Sequence, residues 1–261
     1  MTTAQLRQHG GPSVPARPMM NKVPQVTALF WVIKVLTTGM GETASDFLAH
    51  VMDPMIAVAL GAVGLVTCLA VQFRLDRYVA WVYWTTVVMV SVFGTMAADV
   101  LHVGLGVPYT EATPVFVLVL AVIFGAWYAT ERTLSVHTVN TRRREAFYWA
   151  TVLATFALGT AAGDLTATNF GLGYFASGLV FTALIALPAL AHAKLGLGAV
   201  AAFWSAYVLT RPLGASFADW MAVSHTRGGL GLGLGPVTLG WTLVILALVA
   251  YLSTTRRDIE A

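Results

Sequence analysis

The 261-residue chain is 57% hydrophobic and only 10% charged, against about a quarter charged in an ordinary soluble domain, which excludes a water-soluble globule as the default. Its formal net charge of +3 gives no ground for nucleic-acid binding, because the basic residues sit in breaks between apolar runs and read as topology signals. Cys68 is the only cysteine, so an intrachain disulfide and a cysteine-based zinc site are excluded.

Residues 1–24 contain Gly10, Gly11, Pro12, Pro15, Pro18 and Pro24 with little apolar patterning and are expected to form a flexible tail. The first apolar run starts late and is long enough to span, which argues against a cleaved signal peptide. Spanning runs predict helices at roughly 25–50, 54–73, 79–102 and 114–131, the first four-helix half over residues 25–131. A basic loop at 132–145 follows. The second half, residues 146–253, carries helices at roughly 146–168, 172–193, 197–222 and 234–253, and 254–261 is a short tail. The expected fold class is all-α, a polytopic membrane bundle of about eight transmembrane helices.

Arg74, Arg77, Arg132, Arg142, Arg143, Arg144, Lys194, Arg256 and Arg257 fall in alternate breaks, joined by Arg7, Arg17 and Lys22 before the first helix. The opposite breaks hold Arg227 alone. Positive-inside logic therefore places both termini in the cytoplasm.

The chain repeats itself. GETASD (Gly41 to Asp46), GTMAAD (Gly94 to Asp99), GTAAGD (Gly159 to Asp164) and GASFAD (Gly214 to Asp219) all read G-x-x-x-x-D. They fall in the first, third, fifth and seventh helices, toward the end assigned to the outside. The predicted architecture is four hairpins repeated in parallel, grouped as two duplicated four-helix halves.

An aspartate at the centre of a transmembrane helix costs about 2.5–3.5 kcal/mol on insertion scales. Four at matched positions would face one another if the motif helices form an inner ring. Carboxylates so close cannot all ionise without a counter-charge. The cluster must bind a cation, pair with basic side chains or hold protons. Oxygen ligands favour hard divalent ions such as Mn²⁺, Ca²⁺ or Mg²⁺.

Asp46, Asp99, Asp164 and Asp219 are thus the candidate metal ligands. Glu42, four residues before Asp46 and on the same helical face, is a fifth. Its equivalents are Thr95, Thr160 and Ala215, two of which keep an oxygen. Lys34 and Arg211 lie near mid-helix and need partners, for which Glu42 and the aspartates are the obvious choice. His50 and His102 share a face with Asp46 and Asp99 and are candidate supporting groups, against the plainer reading of histidines at an interface. The motif glycines are expected to serve close helix packing. Trp81, Tyr83, Trp84, Trp127, Tyr128, Tyr148 and Trp149 read as interfacial membrane anchors.

Gly94 to Asp99 and Gly159 to Asp164, with the His102 to Tyr109 turn, resemble an uncharacterised family of bacterial multi-span inner-membrane proteins across nearly the whole hydrophobic region. That resemblance implies a bacterial origin and an inner-membrane location. Gly163-Asp164-Leu165-Thr166 is fainter in its likeness to the E-x-G-D-[K/R]-T repeat of cation exporters, from which it lacks the glutamate and the basic residue.

These residues lead to an expected secondary transporter of a divalent metal cation, with Mn²⁺ the first choice and proton-coupled export one form of it. The expected partners are the lipid bilayer and a small inorganic ion as substrate, with no nucleic acid, and small-residue faces leave room for a homo-oligomer. No cofactor is expected, a bound divalent cation (Mn²⁺, Ca²⁺ or Mg²⁺) being the one candidate. The alternatives are a proton-coupled carrier of a small organic or anionic solute, held by Lys34 and Arg211, and a non-transporting scaffold with structural ion pairs. No nucleophile–base constellation points to an enzyme.

Overall fold

The computed structural model describes residues 20–258, and all regular structure among them is helical. Eight α-helices follow in order: α1 Ala28–Val51, α2 Pro54–Arg74, α3 Ala80–Asp99, α4 Tyr109–Glu131, α5 Arg142–Asp164, α6 Tyr174–Leu195, α7 Ala199–Ala222 and α8 Leu234–Thr255. Each lies within a few residues of its expected position. The largest differences are α4, which begins before Pro114, and α5, which takes up the end of the expected basic loop.

Local chemistry sets several of these ends. The Thr27 hydroxyl caps α1 by accepting from the Phe30 amide. Asp53 caps α2 ahead of Pro54, whose missing N–H costs nothing in a first turn. Thr141 caps α5 through the Arg144 amide. At the far ends, α6 stops on Gly196 in the left-handed region at φ 72°, a conformation that glycine enters without a Cβ penalty.

The helices form two concentric layers. Helix α1 packs on α3 and α7, and α5 packs on the same two, so α1, α3, α5 and α7 close an inner ring. The outer helices lie in the grooves outside it, α2 mainly on α3, α4 on α5, α6 on α7 and α8 on α1. Each outer helix therefore leans chiefly on the inner helix of the next repeat, and the last closes back onto the first. The hairpins are units of sequence, while the packing units run across them.

The four motif glycines make the ring possible. A Cβ at Gly41 would strike Ser91, one at Gly94 would strike Phe156, one at Gly159 the stem of Arg211, and one at Gly214 Thr38. In every case the obstacle lies three residues before the motif glycine of the neighbouring helix. One contact is thus used four times around the circle, and only a hydrogen at that position allows it.

Aromatic residues fill the end of the ring near the helix N-termini. Phe30, Tyr83, Trp84, Tyr148, Trp149 and Trp204 are buried there, and the Tyr83 and Tyr148 hydroxyls meet at 2.5 Å. The expectation of membrane anchors is corrected for Tyr83, Trp84, Trp127, Tyr148 and Trp149, which are core residues; Trp81 and Tyr128 are exposed. The buried rings pack on each other in tilted and edge-to-face pairs, for example Phe30 against Trp84 with centres 5.6 Å apart, which recovers more contact than an interface position offers.

Most of the expected 1–24 tail lies outside the described residues, but its end is built into the fold. The Lys22 amide donates to the Val139 carbonyl at 3.1 Å and its buried ammonium bonds the Glu145 carboxylate at 2.6 Å. Of the tail after α8, Asp258 is likewise buried: it accepts from the Tyr78 hydroxyl at 2.5 Å, and its carbonyl from the Gln25 amide at 3.0 Å.

Outside the ring the surface is apolar. Met55, Val63, Leu118, Leu187 and Leu239 are all exposed. Among the described residues six helices are long and apolar enough to cross a membrane: α2, α4, α6 and α8, with α3 and α5 and the turns that extend them. Helices α1 and α7 carry Lys34, Glu42, Asp46, Arg211 and Asp219, and they are wrapped by the others.

Candidate functional site

All four motif aspartates lie toward the C-terminal ends of inner helices, at the end of the ring opposite the aromatic layer. Asp219 is buried, and Asp46, Asp99 and Asp164 are half-buried. Glu42, Asp46 and Asp219 each offer a carboxylate oxygen, and these oxygens lie within 4.8 Å of one another. That group joins α1 to α7. Asp99 and Asp164 stand on the α3 and α5 side, and all four aspartates interact electrostatically with both Glu42 and Arg211.

Arg211 lies one turn below, fully buried. Its Nη2 donates to Glu42 Oε2, to Thr95 Oγ1 and, at 2.7 Å, to Thr160 Oγ1. Its Nη1 donates to the Thr38 carbonyl at 3.3 Å. Glu42, Thr95 and Thr160 are the residues that follow the motif glycine in the first three repeats, so equivalent positions from three helices converge on one guanidinium. The fourth helix supplies the arginine, and its own equivalent position is the small Ala215. The Thr160 hydroxyl donates a hydrogen bond to the Phe156 carbonyl at 3.2 Å, which leaves its lone pairs turned to the arginine.

The sequence thus brings Arg211 to an acid as expected, and joins Thr95 and Thr160 to the same group. Lys34 is a correction. It is buried, its Nζ has no hydrogen-bond partner, and it makes no ion pair among the described residues. The ammonium sits 3.9 Å from the Phe156 ring centre and 4.3 Å from that of Tyr207, where ring quadrupoles attract it. Two helical turns, about 12 Å of rise, separate it from Glu42, and Arg211 already fills the space between.

Among the described residues neither His50 nor His102 bonds a carboxylate. The His50 ring Nδ1 bonds the Asp46 carbonyl at 2.7 Å on the exposed surface. His102 bonds the Val107 carbonyl at 2.8 Å and stacks on Tyr109 with ring centres 3.6 Å apart.

Directly after Asp99 and Asp164 the chain widens into π-helical turns, Val100–Gly104 and Leu165–Asn169. Such turns are rare and recur at functional sites. A groove of about 620 Å³ also opens near the other end of the molecule, lined by Trp31, Phe203, Ile185 and His192 among others. It is remote from the acids.

The aromatic layer and the cage of Lys34 were missed at the level of sequence, although the signal was present. Phe30-Trp31, Tyr83-Trp84, Tyr148-Trp149 and Phe203-Trp204 each lie at the same distance before their motif glycine, and Tyr207 is the fourth-repeat equivalent of Lys34.

Chemically, the three clustered carboxylates suit a hard divalent cation with oxygen ligands, and the threonine hydroxyls and guanidinium beneath them offer a fixed polar floor. No curated protein and no solved structure matches the chain. A repeat family, described as Repeat of Unknown Function (DUF347), matches it four times, over residues 29–78, 82–133, 147–196 and 202–258. Each match begins with an inner helix and continues through an outer one, in the same four units that carry the G-x-x-x-x-D motif, and the chain belongs to this family.

Proposed function

We propose that this protein is a multi-pass membrane carrier of a divalent metal cation, with Mn²⁺ the first candidate. The observation that carries the reading is the Glu42, Asp46 and Asp219 group, with its carboxylate oxygens within 4.8 Å, in a ring sheathed by apolar helices. Acids so close repel unless their charge is offset; Arg211 meets Glu42 alone among the three, and a bound cation would offset the other two. The apolar outer faces support a bilayer as surroundings, since a lipid-facing helix satisfies its own backbone. The basic breaks support cytoplasmic termini, and the resemblance to bacterial proteins supports the inner membrane.

The test is purified protein in detergent, titrated calorimetrically with Mn²⁺, Ca²⁺ and Mg²⁺, followed by uptake into proteoliposomes. Binding that Asp46→Asn and Asp219→Asn abolish supports the reading. A protein that binds none of the three, and loses only thermal stability in those variants, is instead a scaffold. That second reading is favoured by one observation, the three-way bonding of Arg211, which is what a purely structural pair would also make.

A further inference from the structure

Resting on the cation-binding reading, we propose that Arg211 sets the charge number of the cation the site accepts. Its side chain is wholly buried, and Glu42 is its sole carboxylate partner among the described residues. Glu42 is also one of the three clustered acids. The other contacts of the guanidinium are neutral: the hydroxyls of Thr95 and Thr160 and the carbonyl of Thr38.

An arginine is always charged in proteins, so it contributes a constant positive charge. Its place is secured by the fold: Gly159 leaves the gap through which the Arg211 stem passes, and a Cβ there would strike it. With the three clustered carboxylates ionised around a cation, the one guanidinium brings that group to two negative charges, so Arg211 lowers by one the positive charge that balances it. Lys34, two turns from Glu42 between Phe156 and Tyr207, pairs with none of these acids and is likewise unchanged throughout. Asp99 and Asp164 are common to every variant below, so their charges do not alter the comparison.

In a site largely withdrawn from water, a mismatch of one charge costs far more than in bulk solvent. Arg211→Gln therefore favours a trivalent ion, Glu42→Gln disfavours it, and the double variant restores the original balance. The experiment measures Mn²⁺ and Tb³⁺ affinities of the full chain in detergent, by calorimetry and by Tb³⁺ luminescence. The ratio of Tb³⁺ to Mn²⁺ affinity is expected to rise on the order of tenfold in Arg211→Gln and to fall by a similar factor in Glu42→Gln. In the Glu42→Gln, Arg211→Gln protein it returns to within about threefold of the original.

Arg211→Lys, which keeps the charge without the planar geometry, holds the original ratio. If Arg211→Gln does not fold, the step from Glu42→Gln to the double variant reads the same charge. An unchanged ratio along that step, or in Arg211→Gln, overturns the inference while leaving cation binding intact. A wild-type protein that binds neither ion defeats the underlying reading instead.

Discussion

The α1–α7 side of the ring and the α3–α5 side carry the same repeated aspartate on unlike supports. Helices α1 and α7 keep α-type bonding at the motif end, with Met52 bonding the Leu48 carbonyl and Val223 the Asp219 carbonyl. They supply every charged group of the floor and three of the five acids. Helices α3 and α5 contribute hydroxyls at the matching level and open into π turns, where the bonds run from Leu105 to Val100 and from Phe170 to Leu165. Four equivalent units have become two kinds of neighbour. One side gathers charge, and the other has neutral oxygens below its aspartates and a loosened backbone above them.

The severest test of that contrast removes the charge that distinguishes the first side. Arg211→Ala leaves Glu42 buried and uncompensated and should cost about 3–5 kcal/mol, as for other broken buried pairs. Thermal denaturation in detergent measures it, and adding Glu42→Gln should recover most of the loss. A cost below about 1 kcal/mol, the scale of an exposed pair, would mean that the pair does not organise this side.

Next in size is Gly159→Ala, which overpacks the stem of Arg211 and should destabilise by about 1–3 kcal/mol. The comparison is Gly125→Ala on the outer helix α4, where a Cβ meets nothing within 4 Å, so the change should stay within about 1 kcal/mol. Equal losses at both positions would remove the ring contact as the reason for the repeated glycine.

A smaller effect separates the aspartates themselves. Asp46→Asn should weaken Mn²⁺ binding by about tenfold or more, and Asp99→Asn by a lesser factor, because Asp46 belongs to the close group and charge interactions decline with distance. Equal losses in calorimetry would mean that the two sides share the ion.

The smallest prediction concerns a control away from both sides. Burial, then the bond to Asp258, pushes the Tyr78 hydroxyl above its ordinary value of 10.0. Below that pH both folded and unfolded chains keep the proton; above it the unfolded chain releases it first. Stability from this group is therefore present below pH 10 and declines above it, by up to about 1.4 kcal/mol per pH unit. Tyr78→Phe should show a shallower alkaline fall in melting temperature, with no change in Mn²⁺ affinity.

The eight helices and the four matched acids were legible because apolar run length and recurring spacing survive in one dimension. Which way each unit turns was not legible. Periodicity places Glu42, Thr95 and Thr160 at one level, but only ring closure shows that they meet Arg211 from the fourth helix. Lys34 was misassigned for the same reason. A search for buried charge finds the nearest acids along the chain, whereas its nearest partners, Phe156 and Tyr207, come from two other repeats. Comparison of all four repeats residue by residue, beyond the glycine and the aspartate, would have exposed the aromatic pairs.

The placement of α8 against α1 has a bearing on how the molecule is made. Of the eight described helices α1 emerges first during synthesis, yet the one that covers its outer face, α8, emerges after the other seven. Until then Glu42 and Lys34 belong to a helix that lacks its cover and, at first, Arg211. Chains halted before α8 should accordingly hold α1 in a protease-sensitive state even after α2 to α7 have assembled, although every residue of the acid site is by then in place.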